Sequence, residues 1–160
     1  MAHGQSALGG CVAATRCRRT AAGRIRREVK DFAGLIDSWD AINEVVIMPE
    51  FVNEPDGVQN AITRMCADKG RVPMVRLAIE EARGQNSGAQ LILNDFDLGP
   101  RYEQLVEEVL DAGIQIDAIG LQSHMHKGFR GEDQLNDVCQ RFARFGLPCI
   151  GQRPLSSPGT

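Results

Sequence analysis

Asn43 and Glu44 place an amide and a carboxylate side by side, directly after the apolar stretch that begins at Trp39. The arrangement recurs downstream. Gln90-Leu91-Ile92-Leu93 runs into Asn94-Asp95, and Ile116-Asp117-Ala118-Ile119-Gly120-Leu121 runs into Gln122-Ser123-His124. Carboxylates and imidazoles move protons, while amides both donate to and accept from hydroxyl groups. Such a set suits the binding of a hydroxyl-rich substrate and acid/base chemistry on it. One strand end of this kind reads as readily as a turn, because Asn, Asp and Ser favour turns. Three of them, each after an apolar strand and separated by helical segments, argue for a shared face. Period-two geometry puts Gln122 and His124 on the same side of their strand, with His126 continuing the alternation into a loop.

The elements that must hold these groups follow from hydrophobic spacing. Ile25, Val29, Phe32 and Leu35 recur at helical intervals, with Gly34 as a stop, ahead of a strand over 36–44. Helices are predicted over 58–68, ended by Gly70, and over 72–83, where Pro73 suits the first turn because its missing N–H has no intrahelical partner there. A strand over 91–94 precedes a helix over 101–112. That helix turns Tyr102, Leu105, Val106, Val109 and Leu110 inward and Glu103, Glu107 and Glu108 outward, and Gly113 closes it. A strand over 116–121, a helix over 133–145 and a fourth strand opening at Gly146 complete the series. Residues 1–23, rich in Ala, Gly and Arg, receive no element; Arg16, Arg18 and Arg19 there read as a solvated face or a disordered tail. Strand alternating with helix predicts an α/β fold with a parallel sheet. In such folds the carboxyl ends of the strands form the catalytic face.

Composition narrows the class. The chain has 160 residues, 42% hydrophobic and 24% charged, which fits a single globular domain. A formal net charge of −3 and a pI near 5.6 give no basic footprint for nucleic acid, and no apolar run reaches the length of a membrane span. Five cysteines, an odd number without CxxC spacing, argue against zinc or a redox dithiol. Cys66 and Cys139 lie on apolar helix faces and are expected in the core. The first residues lack a basic region followed by an apolar core, so no export signal is read and no compartment is assigned.

On these residues the chain resembles glycoside hydrolase family ten, the endo-β-1,4-xylanases. Trp39-Asp40-Ala41-Ile42-Asn43-Glu44 is similar to the family's acid/base motif, residues 91–96 to its next strand, and residues 116–124 to its Asp-Gly-Ile-Gly-Leu-Gln-Ser-His segment, with Ala118 in place of a glycine. The similarity covers roughly residues 24–148, and residues 1–23 and 151–160 depart from the family pattern. It implies part of a (β/α)8 barrel, about half, since a closed one needs ~250 residues.

The resemblance also implies roles: Glu44 as general acid/base, Asn43 on the sugar 2-hydroxyl, and His124 orienting the nucleophile with Gln122 beside it. Asn94 and Asp95 would organise hydrogen bonds around the acid/base, with Phe96 where a tyrosine is usual. No cofactor or metal is implied; Asp95, Asp97, His124 and His126 do not form a known ligand set. The expected partner is xylan or a xylo-oligosaccharide, with self-association through exposed barrel edges.

The family's nucleophile is a glutamate following the strand that here reads Leu147-Pro148-Cys149-Ile150, but the chain continues Gly151-Gln152-Arg153-Pro154. No nucleophile is identifiable. Codons for residues 151–159 can be chosen that spell Thr-Glu-Thr-Pro-Leu-Val-Ser-Gly when read two nucleotides later, so a frameshift is one explanation. The expectation is an incomplete retaining xylanase. The alternative is a carbohydrate-binding fragment without hydrolysis, which one Trp and one Tyr make a poor provider of sugar platforms. A barrel acting on a phosphorylated metabolite would want a Gly-rich phosphate loop, and none is evident.

Overall fold

The computed structural model describes residues 5–55, 57–122 and 131–152, with 5–14 and 152 as backbone alone. A long helix, α1 (Gln5–Asp31), leads into β1 (Ser38–Asn43), a short 3-10 turn at Met48–Glu50, and the helices α2 (Ala61–Lys69) and α3 (Arg71–Arg83). Then β2 (Gln90–Asp95), α4 (Pro100–Asp111), β3 (Ala118–Gln122), α5 (Glu132–Ala143) and β4 (Cys149–Gln152) follow. The strands lie in the order β1-β2-β3-β4, every pairing parallel. The expected βα alternation is what forms.

The central strands are continuous apolar runs because both of their faces are covered. Leu91, Leu93, Ile119 and Leu121 join the core shared with the helices, where α3 adds Val75 and Ile79, α4 adds Tyr102 and Val106, and α5 adds Val138 and Phe142. Residues between them, Ile92, Asn94, Gly120 and Gln122, belong by period two to the opposite face. Tyr102 fastens α4 to the sheet: its ring lies 5.2 Å from that of Phe142, and its hydroxyl reaches the carbonyls of Leu93 at 2.6 Å and Gly120 at 3.1 Å.

Several boundaries differ from expectation for identifiable reasons. Residues 5–23 are helical, continuous with the segment that starts at Ile25. Cys17, Ala21, Ala22, Ile25 and Val29 form an apolar stripe against α2 and α3 that the intervening glycines and arginines obscure in the sequence. α2 begins at Ala61 rather than Val58, because Asn60 caps it by accepting the Thr63 N–H at 2.8 Å, while Val58 pairs with Asn53. Gly70, at φ +91°, ends α2 and starts α3 without a linker, a conformation that favours glycine.

β1 is shorter than the predicted strand and stops before Glu44, and β4 starts at Cys149 rather than Gly146. Cys66 is fully buried, but Cys139 is exposed, since α5 turns only its neighbour Val138 and Phe142 inward. Leu110 is only partly buried. Glu103 is not an outward residue: its side chain, 13% exposed, pairs with Arg141 and with Arg144 at 3.4 Å, tying α4 to α5.

Candidate active site

A bulge in β1 builds the site. The register runs Asp40↔Ile92 and then Ile42↔Leu93, so Ala41 is an extra residue facing no partner. In a regular strand Asp40 and Asn43, three apart, would point to opposite faces. The extra residue restores them to one face, and a single group on β2 binds both: Asn94 Nδ2 donates to Asp40 Oδ2 and to Asn43 Oδ1, each at 3.0 Å. Trp39 and Ile42 remain with the core on the other side. Asp40 is the member of this cluster that the sequence reading assigns no role, because bulges leave no signature in residue type.

Gln122 Nε2, from the end of β3, donates to the same Asn43 oxygen at 2.5 Å. Both lone pairs of that carbonyl are therefore engaged, and what Asn43 offers a ligand is its Nδ2 donor. An amide able to give and accept at once, as the sequence suggested, is not what the fold presents.

Asn94 is 1% exposed. Its orientation is fixed, since exchanging its oxygen and nitrogen would set oxygen against two oxygens. Its Oδ1 is buried without a hydrogen-bond partner among the described residues and faces Gly120, where an added Cβ would lie 2.3 Å away. The glycine is the space in which Asn94 stands.

Glu44 leaves β1 at φ +56°, the only non-glycine residue in the left-handed region among the described residues. Such a conformation is costly for a side chain with a Cβ and persists only where the surroundings hold it. Its N–H donates to the Asn94 carbonyl at 2.9 Å, continuing the ladder by one bond. The half-buried side chain is thereby turned out of strand alternation.

Asn94 and Asp95 divide the work expected of them jointly. Asn94 faces the site, whereas Asp95, fully buried, belongs to the helix side and accepts the backbone N–H of Val46 at 3.0 Å and of Asp97 at 3.0 Å. It thus braces the turn that follows Glu44 without facing the site. Burial pushes the Asp95 carboxyl above its ordinary range, against the lowering effect of those N–H donors.

Glu44, Asn43, Gln122 and Asn94 therefore meet at the carboxyl ends of three adjacent strands, and Asp40 joins them. Ser123, His124 and His126 lie outside the described residues, as does whatever follows Gln152. Asp97 turns its carboxylate to the Gly99 N–H at 3.0 Å. Among the described residues no three His, Cys, Asp or Glu side chains are grouped to hold a metal.

Parallel strands alternating with helices, with polar side chains gathered at the strands' carboxyl ends, are the architecture of an α/β barrel. The chain belongs to glycosyl hydrolase family 10, whose model matches residues 12–150, starting well before Arg24. It is 29% identical over 131 residues to a thermostable celloxylanase of Thermoclostridium stercorarium, a match covering 79% of this chain and 32% of that protein. With endo-1,4-beta-xylanase C of Paenibacillus barcinonensis it shares 28% over 140 residues, covering 77% of this chain and 12% of that one. The catalytic core of a xylanase A superposes with a TM-score of 0.69 at 23% identity, over 89% of this chain and 46% of that structure. A family 10 enzyme from Paenibacillus barcinonensis does so with 0.64 at 24%, over the same shares. The chain thus spans at most about a third of these curated relatives and under half of the matched structures. Its four strands are part, about half, of a (β/α)8 barrel.

Proposed function

We propose that these strand ends are the acid/base half of a retaining endo-β-1,4-xylanase site. The observation that carries this reading is the convergence at Glu44. A family-positioned carboxylate sits in a strained left-handed backbone, and beside it Asn43 has its acceptor engaged by Asn94 and Gln122 so that only its donor faces outward. Strain of this kind concentrates at functional sites.

In the proposed reaction Glu44 protonates the glycosidic oxygen as the bond to the anomeric carbon breaks, then takes a proton from the water that releases the sugar. Asn43 Nδ2 donates to the 2-hydroxyl, a contact that strengthens as positive charge develops on the ring. Asp40 acts through Asn94, which it orients. His124 would position the attacking carboxylate. That carboxylate must stand about 5–5.5 Å from Glu44 for a retaining mechanism, and no Asp or Glu follows Asp137 in the sequence. The substrate class is supported by the relatives named above and by the fold neighbour solved in complex with xylopentaose, a mutant of P. fluorescens subsp. cellulosa xylanase A with a TM-score of 0.67.

A second reading, favoured by the amides that crowd Asn43, is retention of xylo-oligosaccharide without cleavage. Release of reducing sugar from xylan and of an aryl group from aryl-xylobioside, by the chain and by Glu44→Gln, separates the two. Activity lost in the variant establishes hydrolysis with Glu44 as its acid. Binding of xylotetraose without turnover establishes the second reading. Neither binding nor turnover overturns both.

A further inference from the structure

The turn after Glu44 is gripped at one residue, through the peptides on both sides of it. Val46 donates its N–H to the buried Asp95 carboxylate, and its carbonyl accepts from Arg71 Nε at 2.9 Å and from Arg101 Nη2 at 3.4 Å. Arg71 is the first residue of α3 and Arg101 lies in the first turn of α4, so the two guanidinium groups arrive from separate helices. Glu50, at the end of the 3-10 turn, binds Nη2 of both, each at 2.8 Å. It relieves the repulsion between the two cations and closes a ring of charge around the Val46 carbonyl. The hydrogen bond from Arg101 holds the Glu50 carboxyl below its ordinary range.

Burial of Val45 and Val46, 0% and 1% exposed, anchors their side chains but does not choose the directions of the two peptides that flank Val46. The two arginines and Asp95 do. We infer that Arg71, Arg101 and Glu50 are positioning residues for Glu44: by clamping the Val46 carbonyl they hold the preceding turn, and with it the left-handed backbone of Glu44. Their bearing on catalysis rests on Glu44 being the acid/base proposed above.

These ion pairs are partly exposed, with side-chain exposures of 33% for Arg71, 51% for Arg101 and 54% for Glu50. Pairs of that kind are weak and screened by salt. The geometry of the acid/base turn is therefore sensitive to ionic strength, unlike the core beneath it.

The test uses NMR on the full chain, on Glu50→Gln and Arg71→Met, and on Arg26→Met as a control that breaks an exposed Arg26–Glu81 pair far along α3. Two readouts are followed: exchange of the Glu44 and Val46 amides, and the HN–Hα coupling of Glu44, which reports its φ. Exchange at both amides is expected to rise roughly twofold to fivefold in each clamp variant, the range an exposed pair supports. The Glu44 coupling should move away from its left-handed value, and added salt should mimic the effect in the wild type alone. The core amide of Ile119, bonded to the Pro148 carbonyl at 2.9 Å, should not change, nor should anything near Glu44 in the control. An unmoved Glu44 coupling in both variants overturns the inference, as does faster exchange that includes Ile119. Xylotetraose titrated into the same wild-type sample bears on the proposed function alone: failure to bind sinks that proposal and leaves the clamp to be decided by exchange and coupling.

Discussion

Asn94 and Gly120 face one another across β2 and β3 so closely that a Cβ on Gly120 would lie 2.3 Å from Asn94 Oδ1. The amide that binds both Asn43 and Asp40 exists in its present position only because its neighbour has no side chain.

Gly120→Ala should therefore act on the site from the next strand. The methyl group forces Asn94 to shift, loosening its bonds to Asp40 and Asn43, and such overpacking costs about 1–3 kcal/mol. Urea denaturation should show that loss, and xylotetraose affinity should fall although residue 120 touches no ligand.

Glu44 is expected to oppose stability. Glu44→Gly removes the left-handed penalty and should be more stable than Glu44→Ala by about 1 kcal/mol, a comparison that isolates backbone from side chain. Both should be inactive on aryl-xylobioside. Equal thermal transitions for the two variants would contradict the strained backbone at this residue.

Asp95 should give a distinctive pH dependence. Its carboxyl is raised in the fold, so the folded state holds its proton more tightly than the unfolded chain does. Its contribution to stability is fully present below the ordinary aspartate value and is lost as pH rises through the raised one. Glu81, lowered by its hydrogen bond to Arg26, behaves oppositely: its contribution is present above the ordinary glutamate value and fades as pH falls. In Asp95→Asn the first component should vanish from a stability profile taken from acid to neutral pH. The variant should also be less stable throughout by about 1–3 kcal/mol, since the two backbone N–H groups bind different carboxylate oxygens and an amide keeps only one of them.

Asn60→Ala should shorten α2 from its N-terminus at a cost of about 1 kcal/mol, read in thermal unfolding. The site should be untouched.

We propose, as expected from the sequence, that the chain self-associates through β1 and β4, beyond which no further strand pairs among the described residues. Sedimentation velocity should find species heavier than the 17.5 kDa chain, growing with concentration. A single monomeric boundary at all concentrations would end that expectation.

What the sequence disclosed was what residue type controls. Apolar runs ending in Asn43-Glu44, Asn94-Asp95 and Gln122 marked three strand ends, because side-chain period and polarity change together there. The part of α1 before Ile25 was hidden, since an apolar stripe interrupted by Gly23 and flanked by arginines resembles no clean pattern. Asp95 was grouped with Asn94 by adjacency, yet adjacency in a strand means opposite faces. Asp40 was passed over because its role depends on a count of residues, and the arginine clamp because its members come from three separate segments and meet only in the fold.

That count has a consequence of its own for how this chain tolerates change. Ala41 is chemically plain, and swapping it for another small residue should do little. Deleting it would leave Asp40 two residues before Asn43, on the same face of a now regular strand, with the pairings Asp40↔Ile92 and Ile42↔Leu93 unchanged and Trp39 still beside Ile42 on the core side. A column-by-column comparison of sequences would score such a loss as a break in the strand. Here the site is encoded in which residues pair rather than in how many there are, and a gap of one at the bulge is a lighter lesion than the loss of any paired neighbour.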